Sequence, residues 1–271
     1  MESVIDAQPL ALSAQLHEYW EYRALLWHLV VKELKVRYRQ TALGLLWALA
    51  QPVLPAVILG TVFSHVLSPG EGHGVPYMLF LLAGLMPWSF LSSAVTSASG
   101  AFVSNGYILS KVYFPRAILP AASVLTAAVE FAGGCVVLCV WATIAGWPPR
   151  PSWLWLPALF LCNVLLAFFL SIGIAALNVL YRDTRHALPF VLQIWMYATP
   201  VLYSPPRVSA RWRWLFGINP MTCVVLGFRR AIFGIPFDLR LGISSACVGV
   251  LAAIAGTVVF LRLQHELAEL V

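Results

Sequence analysis

Charge is what this sequence most lacks. Only 10% of its 271 residues are Asp, Glu, Lys or Arg, and 61% are apolar, whereas a soluble domain carries roughly 25% charged residues. A soluble fold exposes too much of its surface to hide that much hydrocarbon. Soluble classes are therefore excluded and an integral membrane protein is expected. Lysine occurs only at positions 32, 35 and 111, and none follows a glycine. The Gly-x4-Gly-Lys-Ser/Thr loop that cradles nucleotide phosphates is thus missing, and the chain is not expected to hydrolyse ATP itself. The five cysteines, Cys135, Cys139, Cys162, Cys223 and Cys247, form no C-x-x-C pair. Zinc needs closely spaced thiolates or imidazoles, so they read as small apolar filler and no metal is expected. The histidines are scattered. "HELAE" at 265–269 lacks the second histidine of a zinc-protease helix, and no Gly-x-Ser-x-Gly elbow occurs. The first 20 residues hold acids but no early basic residue, so no secretory signal peptide is expected.

Long apolar runs, by contrast, fill the chain. A membrane-crossing helix takes about 20 mostly apolar residues. Six candidates stand at roughly 43–67, 76–100, 118–146, 153–180, 187–204 and 241–262. Pro52 and Pro55 are expected to kink the first. Ahead of it, over 14–40, Tyr19, Trp20, Leu26, Trp27, Val30, Val31, Leu34 and Tyr38 recur at helical spacing, opposite Glu18, Glu21, Lys32, Lys35 and Arg39. That pattern predicts an amphipathic helix lying in the membrane surface. The segment 204–240 is too polar to cross, and its apolar stretches, such as "MTCVVLGF", are too short. It is predicted to form one or two short helices that dip into the outer leaflet and break at Asn219–Pro220. Backbone at that depth must find partners in protein or water. The fold expected is all-α integral membrane: an interfacial helix, six transmembrane helices, and short re-entrant or interfacial helices before the sixth, in one domain spanning 1–271.

Basic residues near span ends set orientation. With the N-terminus inside, ten of the 17 fall on the cytoplasmic side. Five of these, Arg23, Lys32, Lys35, Arg37 and Arg39, lie in the N-terminal helix, so both termini are expected in the cytoplasm. The net charge of +6 is spread over span flanks, which suits lipid headgroups rather than nucleic acid. Glu130 stands inside the third span. A carboxylate at bilayer depth costs about 2.5–3.5 kcal/mol on insertion scales. It is expected to pair with an arginine, to face a polar interior, or to lie nearer one boundary.

Four ordered stretches carry a resemblance: "KELKVRYRQTALGLLWALAQPVL" at 32–54, "SKVYFPRAILP" at 110–120, "LNVLYRDTRHALPFVLQIWMYATPVLY" at 177–203 and "INPMTCVVLGFRRAIFG" at 218–234. With them the chain resembles the six-span permease subunit of bacterial ABC-2 type exporters, in the branch that moves O-antigen, capsule or teichoic acid chains. The resemblance implies a permease domain that pairs with a second copy of itself around a channel. It also implies a separate ABC ATPase dimer that binds the ATP and Mg, leaving no cofactor in this chain. Residues 101–117 would be the cytoplasmic coupling helix. There Tyr113 and Phe114 would anchor in an ATPase pocket, as interface aromatics do. Pro115 and Pro120 would stiffen the approach to the third span, and Lys111 and Arg116 would pair with partner acids. Arg182 and Asp183 would form a second contact there or an ion pair holding a short loop.

The implied substrate is a lipid-linked polysaccharide carried from cytoplasm to periplasm across the bacterial inner membrane. Lys35, Arg37 and Arg39 would meet its diphosphate, because guanidinium forks match phosphate geometry. Glu130 would meet the glycan or an arginine. Arg211 and Arg213, alternating with Trp212 and Trp214, would meet membrane lipid headgroups or the diphosphate. Trp47, Trp88, Phe90, Trp195 and Tyr197 are the candidate channel lining, since sugar C–H faces stack on aromatic rings. Two alternatives stand beside this reading: an ABC-2 permease for a drug or lipid, and a membrane-embedded glycan or acyl transferase. The latter needs ionisable residues clustered at one membrane face, which the scattered histidines and acids do not offer.

Overall fold

The computed structural model describes residues 18, 20–39, 44, 46–63, 74–109, 111, 113–181, 183–236 and 238–264. Among them there is no β-strand. Eleven α-helices follow in order: α1 (Arg23–Tyr38), α2 (Leu46–Phe63), α3 (Tyr77–Ser99), α4 (Ala101–Ser104), α5 (Gly106–Leu109), α6 (Ile118–Ile144), α7 (Leu156–Leu180), α8 (Thr184–Ala198), α9 (Trp214–Ile218), α10 (Pro220–Phe233) and α11 (Leu239–Leu263). Four are long and apolar enough to cross a membrane: α3, α6, α7 with the 3-10 turn before it, and α11. The chain is a multi-pass helical membrane protein.

One of the six predicted spans is shorter than the rest, while α2, described over Leu46–Phe63, carries both Pro52 and Pro55 within one helix. α8 has 15 residues, about 22 Å, less than the ~30 Å hydrocarbon layer. The predicted stretch 187–204 is therefore helical only as far as Ala198. The reason is local. Thr199 precedes Pro200, and a residue before proline is pushed out of the helical region; Thr199 is extended, at φ −90° and ψ 141°.

α3 is the central post, with 78% of its apolar window buried inside the protein. α2, α6, α7, α8 and α10 all pack on it. α11 stands outermost, against α7, α9 and α10, and only 6% of its apolar window is covered. The α7–α11 crossing is made by small residues. A Cβ on Gly173 would lie 2.9 Å from Gly256 Cα, and one on Gly256 would lie 2.1 Å from the Phe169 carbonyl oxygen. Where lipid tails are as apolar as leucine, such close backbone approach supplies the packing that holds helices together.

The bundle has a proximal end, where α1 packs, and a distal end. The main core runs along α3, α6 and α10, and a second cluster closes the proximal end. In the latter, Leu29 and Val30 of α1 meet Phe102, Phe114, Ile118, Ile172 and Phe260. Buried amides tie elements across the bundle: Asn178 Nδ2 donates to the Ser99 carbonyl at the end of α3, and Asn163 Nδ2 to the Pro87 carbonyl. The final carbonyls of a helix have no intrahelical donor, so Asn178 acts as a cap supplied in trans.

Candidate functional site

The segment between α5 and α6 is pinned by one aromatic and displays others. Phe114 is 4% exposed, turned into the proximal cluster. Tyr113 beside it is 71% exposed and Tyr107 is 75% exposed. The predicted pair of anchors is thus divided: in the irregular segment 113–115 one ring is buried and its neighbour is exposed. Lys111 is exposed, with Nζ 5.2 Å from the Tyr107 ring centroid. Tyr22 Oη donates to the Tyr113 carbonyl at 3.2 Å. The charge of Glu18 is the main influence raising the Tyr113 pKa. Pro115 is half-buried. Arg116 donates to the Gln264 carbonyl just beyond α11, and burial lowers its pKa. Asp183 is exposed at the start of α8. Arg182 lies outside the described residues, as do 14–17, Tyr19 and Gln40 of the predicted amphipathic stretch.

α1 is fastened to the bundle by a polar seam. Arg37 Nη1 donates to both Glu130 oxygens, at 2.9 and 3.0 Å, and Nη2 donates to Ser97 Oγ at 3.0 Å. Tyr38 Oη also donates to Glu130. One turn earlier, Ser123 Oγ donates to Glu33 Oε1 at 2.9 Å, and burial raises the Glu33 pKa. Burial likewise raises that of Tyr38. Glu130 thus has an arginine partner, and Arg37 is engaged within the chain. Lys35 and Arg39 are exposed. Glu130 also borders a small recess with Gln51, Ser89 and Ser93. The ion pair spans 93 residues. Arg37→Ala and Glu130→Ala should each lower the melting temperature of the detergent-solubilised protein. The double variant should lose less than the sum, with a coupling of about 1 kcal/mol, because Arg37 is 30% exposed and solvent screens the pair. Strictly additive losses would rule out the clamp.

The distal end is organised by Arg229, Asn219 and a set of tryptophans. Arg229 on α10 is 1% exposed. Its Nη1 donates to the Pro200 carbonyl at 2.7 Å and the Tyr203 carbonyl at 3.3 Å, its Nε to the Phe80 carbonyl at 3.3 Å, and its Nη2 to the Val201 carbonyl. The guanidinium also lies 3.5 Å from the Phe80 ring centroid. One side chain thus gathers the turn after α8 onto α3. Gly84 leaves it room: a Cβ there would sit 2.8 Å from Nη2.

Asn219 forms the break between α9 and α10. Its Oδ1 accepts from Met221 N and Trp195 Nε1, both at 3.0 Å, and its Nδ2 donates to Thr199 Oγ1 at 2.8 Å and the Ala198 carbonyl at 3.2 Å. Its carbonyl accepts from Ser245 Oγ at 2.6 Å, and that hydroxyl accepts from Cys223 N. The predicted break at Asn219–Pro220 is present, and its polar groups are supplied by α8, α10 and α11.

The expected lining residues are divided too. Trp88 and Phe90 are each 4% exposed. Trp88 meets Trp195 edge to face at 5.4 Å between ring centroids, and Phe90 stacks on Phe131 at 4.8 Å. Both fill the protomer's own core. Trp47 and Tyr197 are exposed, on α2 and α8. Trp195 also borders a distal cleft of about 450 Å3 shared with Tyr203, Trp212, Trp214 and Phe216. Beside it, the Arg211 guanidinium sits 5.7 Å from the Trp212 ring centroid, and Arg213 is held by the Val208 and Pro206 carbonyls. Among the described residues no His, Cys, Asp or Glu cluster could hold a metal. Sequence reasoning passed over Arg229. The available signal was an arginine at helical spacing within "MTCVVLGFRRAIF", at a position whose helix neighbours are apolar.

Long apolar helices and a core-anchored segment with exposed aromatics are the features of a multi-pass membrane protein. The chain belongs to the ABC-2 type transporter family, whose profile matches residues 24–233. It is similar to an O-antigen export system permease protein, RfbA, of Myxococcus xanthus, with 30% identity over 263 residues, covering 94% of this chain and 98% of that one. It is also similar to the protein of the same description from Klebsiella pneumoniae, with 29% identity over 240 residues, covering 88% and 92%.

Proposed function

We propose that this chain is the permease subunit of an ATP-driven exporter that moves a lipid-linked, O-antigen-like polysaccharide from cytoplasm to periplasm. Two copies enclose the channel, and each chain crosses the inner membrane six times, with α8 as a short crossing. The proximal end and both termini are cytoplasmic. The α9–α10 hairpin dips back from the periplasmic side. A separate ATPase dimer supplies the energy, binding ATP and Mg. Tyr107, Lys111 and Tyr113 form its docking ledge, while Phe114 transmits the push into α1, α6 and α11. Lys35 and Arg39, exposed on α1, remain available to the substrate's diphosphate. Trp47 and Tyr197 are the candidates left for the channel wall. The names of the similar proteins support the polysaccharide as cargo.

The observation that carries the reading is the exposed aromatic and basic ledge mounted on a buried phenylalanine, in a chain that lacks its own phosphate loop. The test is co-expression with the cognate ATPase. Lys111→Glu combined with Tyr113→Asp should leave insertion and melting temperature unchanged. It should weaken ATPase co-purification about tenfold or more, as loss of a central interface anchor does, and export of surface polysaccharide should fall with it. If the double variant co-purifies and exports normally, the ledge is not the docking site. A deletion strain that keeps its surface polysaccharide but becomes drug-sensitive would overturn the cargo.

A further inference from the structure

α7 and α11 touch at Gly173 and Gly256 and diverge toward the distal end. The first turns of α10, with Pro220, Cys223 and Val224, wedge between them. The result is an open groove of about 560 Å3 lined by those residues together with Leu159, Leu166, Phe169 and Ala253. The wedge is firmly set: the site of a Cβ on Gly249 lies 3.6 Å from Pro220 Cβ, and Cys223 N donates to Ser245 Oγ at 2.9 Å. The polar atoms of the lining are few. Thr257 is the one hydroxyl, and it is spent on the Ala253 carbonyl at 2.9 Å.

The groove's form points to its occupant. From Leu159 to Phe169 it runs ten residues of helix, about 15 Å, the depth of one leaflet of a ~30 Å hydrocarbon layer. The glycine crossing stops it at the proximal end. Its outer rim consists of Leu165, Val250 and Ile254, all exposed. At the open distal end stand two groups suited to a headgroup. Trp155, at the start of α7, is 69% exposed, in the manner of an interfacial tryptophan. Arg240 is exposed in the first turn of α11, 14 residues before Ile254 and therefore on the same side of the helix. Asp238 is turned to the helix start, where its carboxylate accepts from the Arg240 backbone N–H at 2.9 Å. A cationic guanidinium above a hydrocarbon slot one leaflet deep is complementary to an anionic phosphate above an acyl chain.

We infer that the α7–α10–α11 groove is a binding site for one acyl chain of an anionic membrane phospholipid, with its phosphate at Arg240. The site lies on the outer flank of the subunit, away from the docking ledge, and the chain it holds props the α10 wedge. A polyprenyl carrier matches the slot less well, because the glycine crossing narrows it after about one leaflet.

The test is native mass spectrometry of the full-length chain purified from bacterial membranes, followed by identification of the released lipid. Wild type should retain one more phospholipid per chain than Ala253→Trp, which fills the slot. Val136→Trp, on the exposed face of α6, should retain the wild-type number, and Arg240→Glu should shift the retained lipid away from anionic classes. Equal retention in wild type and Ala253→Trp would overturn the site. So would a polyprenyl lipid or a further protein copy leaving with the substitution. A second measurement needs no variant. Cys162 lines the groove, whereas Cys247 does not, and both are exposed. In detergent, added phosphatidylglycerol should slow maleimide labelling of Cys162 several-fold and leave Cys247 unchanged. Equal labelling of Cys162 with and without the lipid would also overturn the proposal.

Discussion

Arg229→Ala is expected to destabilise the fold severely, not merely to slow transport. The side chain is 1% exposed and donates to the carbonyls of residues 80, 200, 201 and 203. Hydrogen bonds from a charged donor contribute roughly 1.5–3 kcal/mol each, and a buried acceptor left without a donor costs about 1–3 kcal/mol. Even if the turn partly relaxes, a loss of about 4 kcal/mol is expected, a large share of the ~5–15 kcal/mol that holds a domain together. Lysine should not restore it. An ammonium is a point charge with three donors and no planar fork, and it cannot lie flat on the Phe80 ring while reaching carbonyls on two sides. The order expected in fluorescence-detected size-exclusion melting is wild type, then Arg229→Lys, then Arg229→Ala. Neighbouring Arg230 is exposed, and Arg230→Ala should cost less than Arg229→Ala. If Arg229→Ala melts with wild type, the guanidinium does not hold the turn.

Gly256→Val is expected to be of similar severity for a different reason. Its Cβ would be placed 2.1 Å from a backbone oxygen of α7, and a helix backbone cannot yield as a side-chain tip does. The crossing must open, costing about 3 kcal/mol or more on the scale of overpacked cores. Gly173→Ala should be milder, since its closest approach is 2.9 Å. Gly133→Ala meets nothing within 4 Å and should change stability by no more than about 0.5 kcal/mol. The graded series, read by the same melting assay, separates close approach from general helix propensity. Helix propensity favours both valine and alanine over glycine, so a Gly256→Val protein that melts with wild type would show that the close approach does not limit stability.

The long helices were legible because their information is local. Runs of apolar residues bounded by proline, glycine and charge mark α3, α6, α7 and α11, and the break at Asn219–Pro220 announces itself through proline. The end of α8 was legible in principle from Thr199–Pro200, but the apolar run on its far side concealed it. What could not be read is everything that pairs distant positions. Glu130 signalled a need for a partner by its depth; that the partner is Arg37 depends on how α1 lies against α6. Phe114 and Tyr113 carry the same aromatic signal in sequence, and only the packing of the folded segment separates the buried one from the exposed one. Of the Gly173–Gly256 contact only one side left a trace: Gly256 is the third of a seven-residue series, Gly242, Gly249 and Gly256, whereas Gly173 sits alone in its apolar run. Arg229 was hidden because its charge reads as a flank residue until the carbonyls around it are known.

The Asn219 break also bears on the order in which the protein is made. Its side chain is held by Trp195 and Thr199, which leave the ribosome before it, and its carbonyl by Ser245, which leaves 26 residues later. Until α11 is in place, the Asn219 carbonyl keeps only the Thr222 N–H at 3.1 Å and the Cys223 N–H lacks its acceptor, Ser245 Oγ; an unpaired backbone group in hydrocarbon costs several kcal/mol. The hairpin therefore cannot settle while it is being synthesised. It waits near the surface and closes only after the final span is in place, so truncations before Ser245 should leave the preceding helices inserted with this segment open to protease.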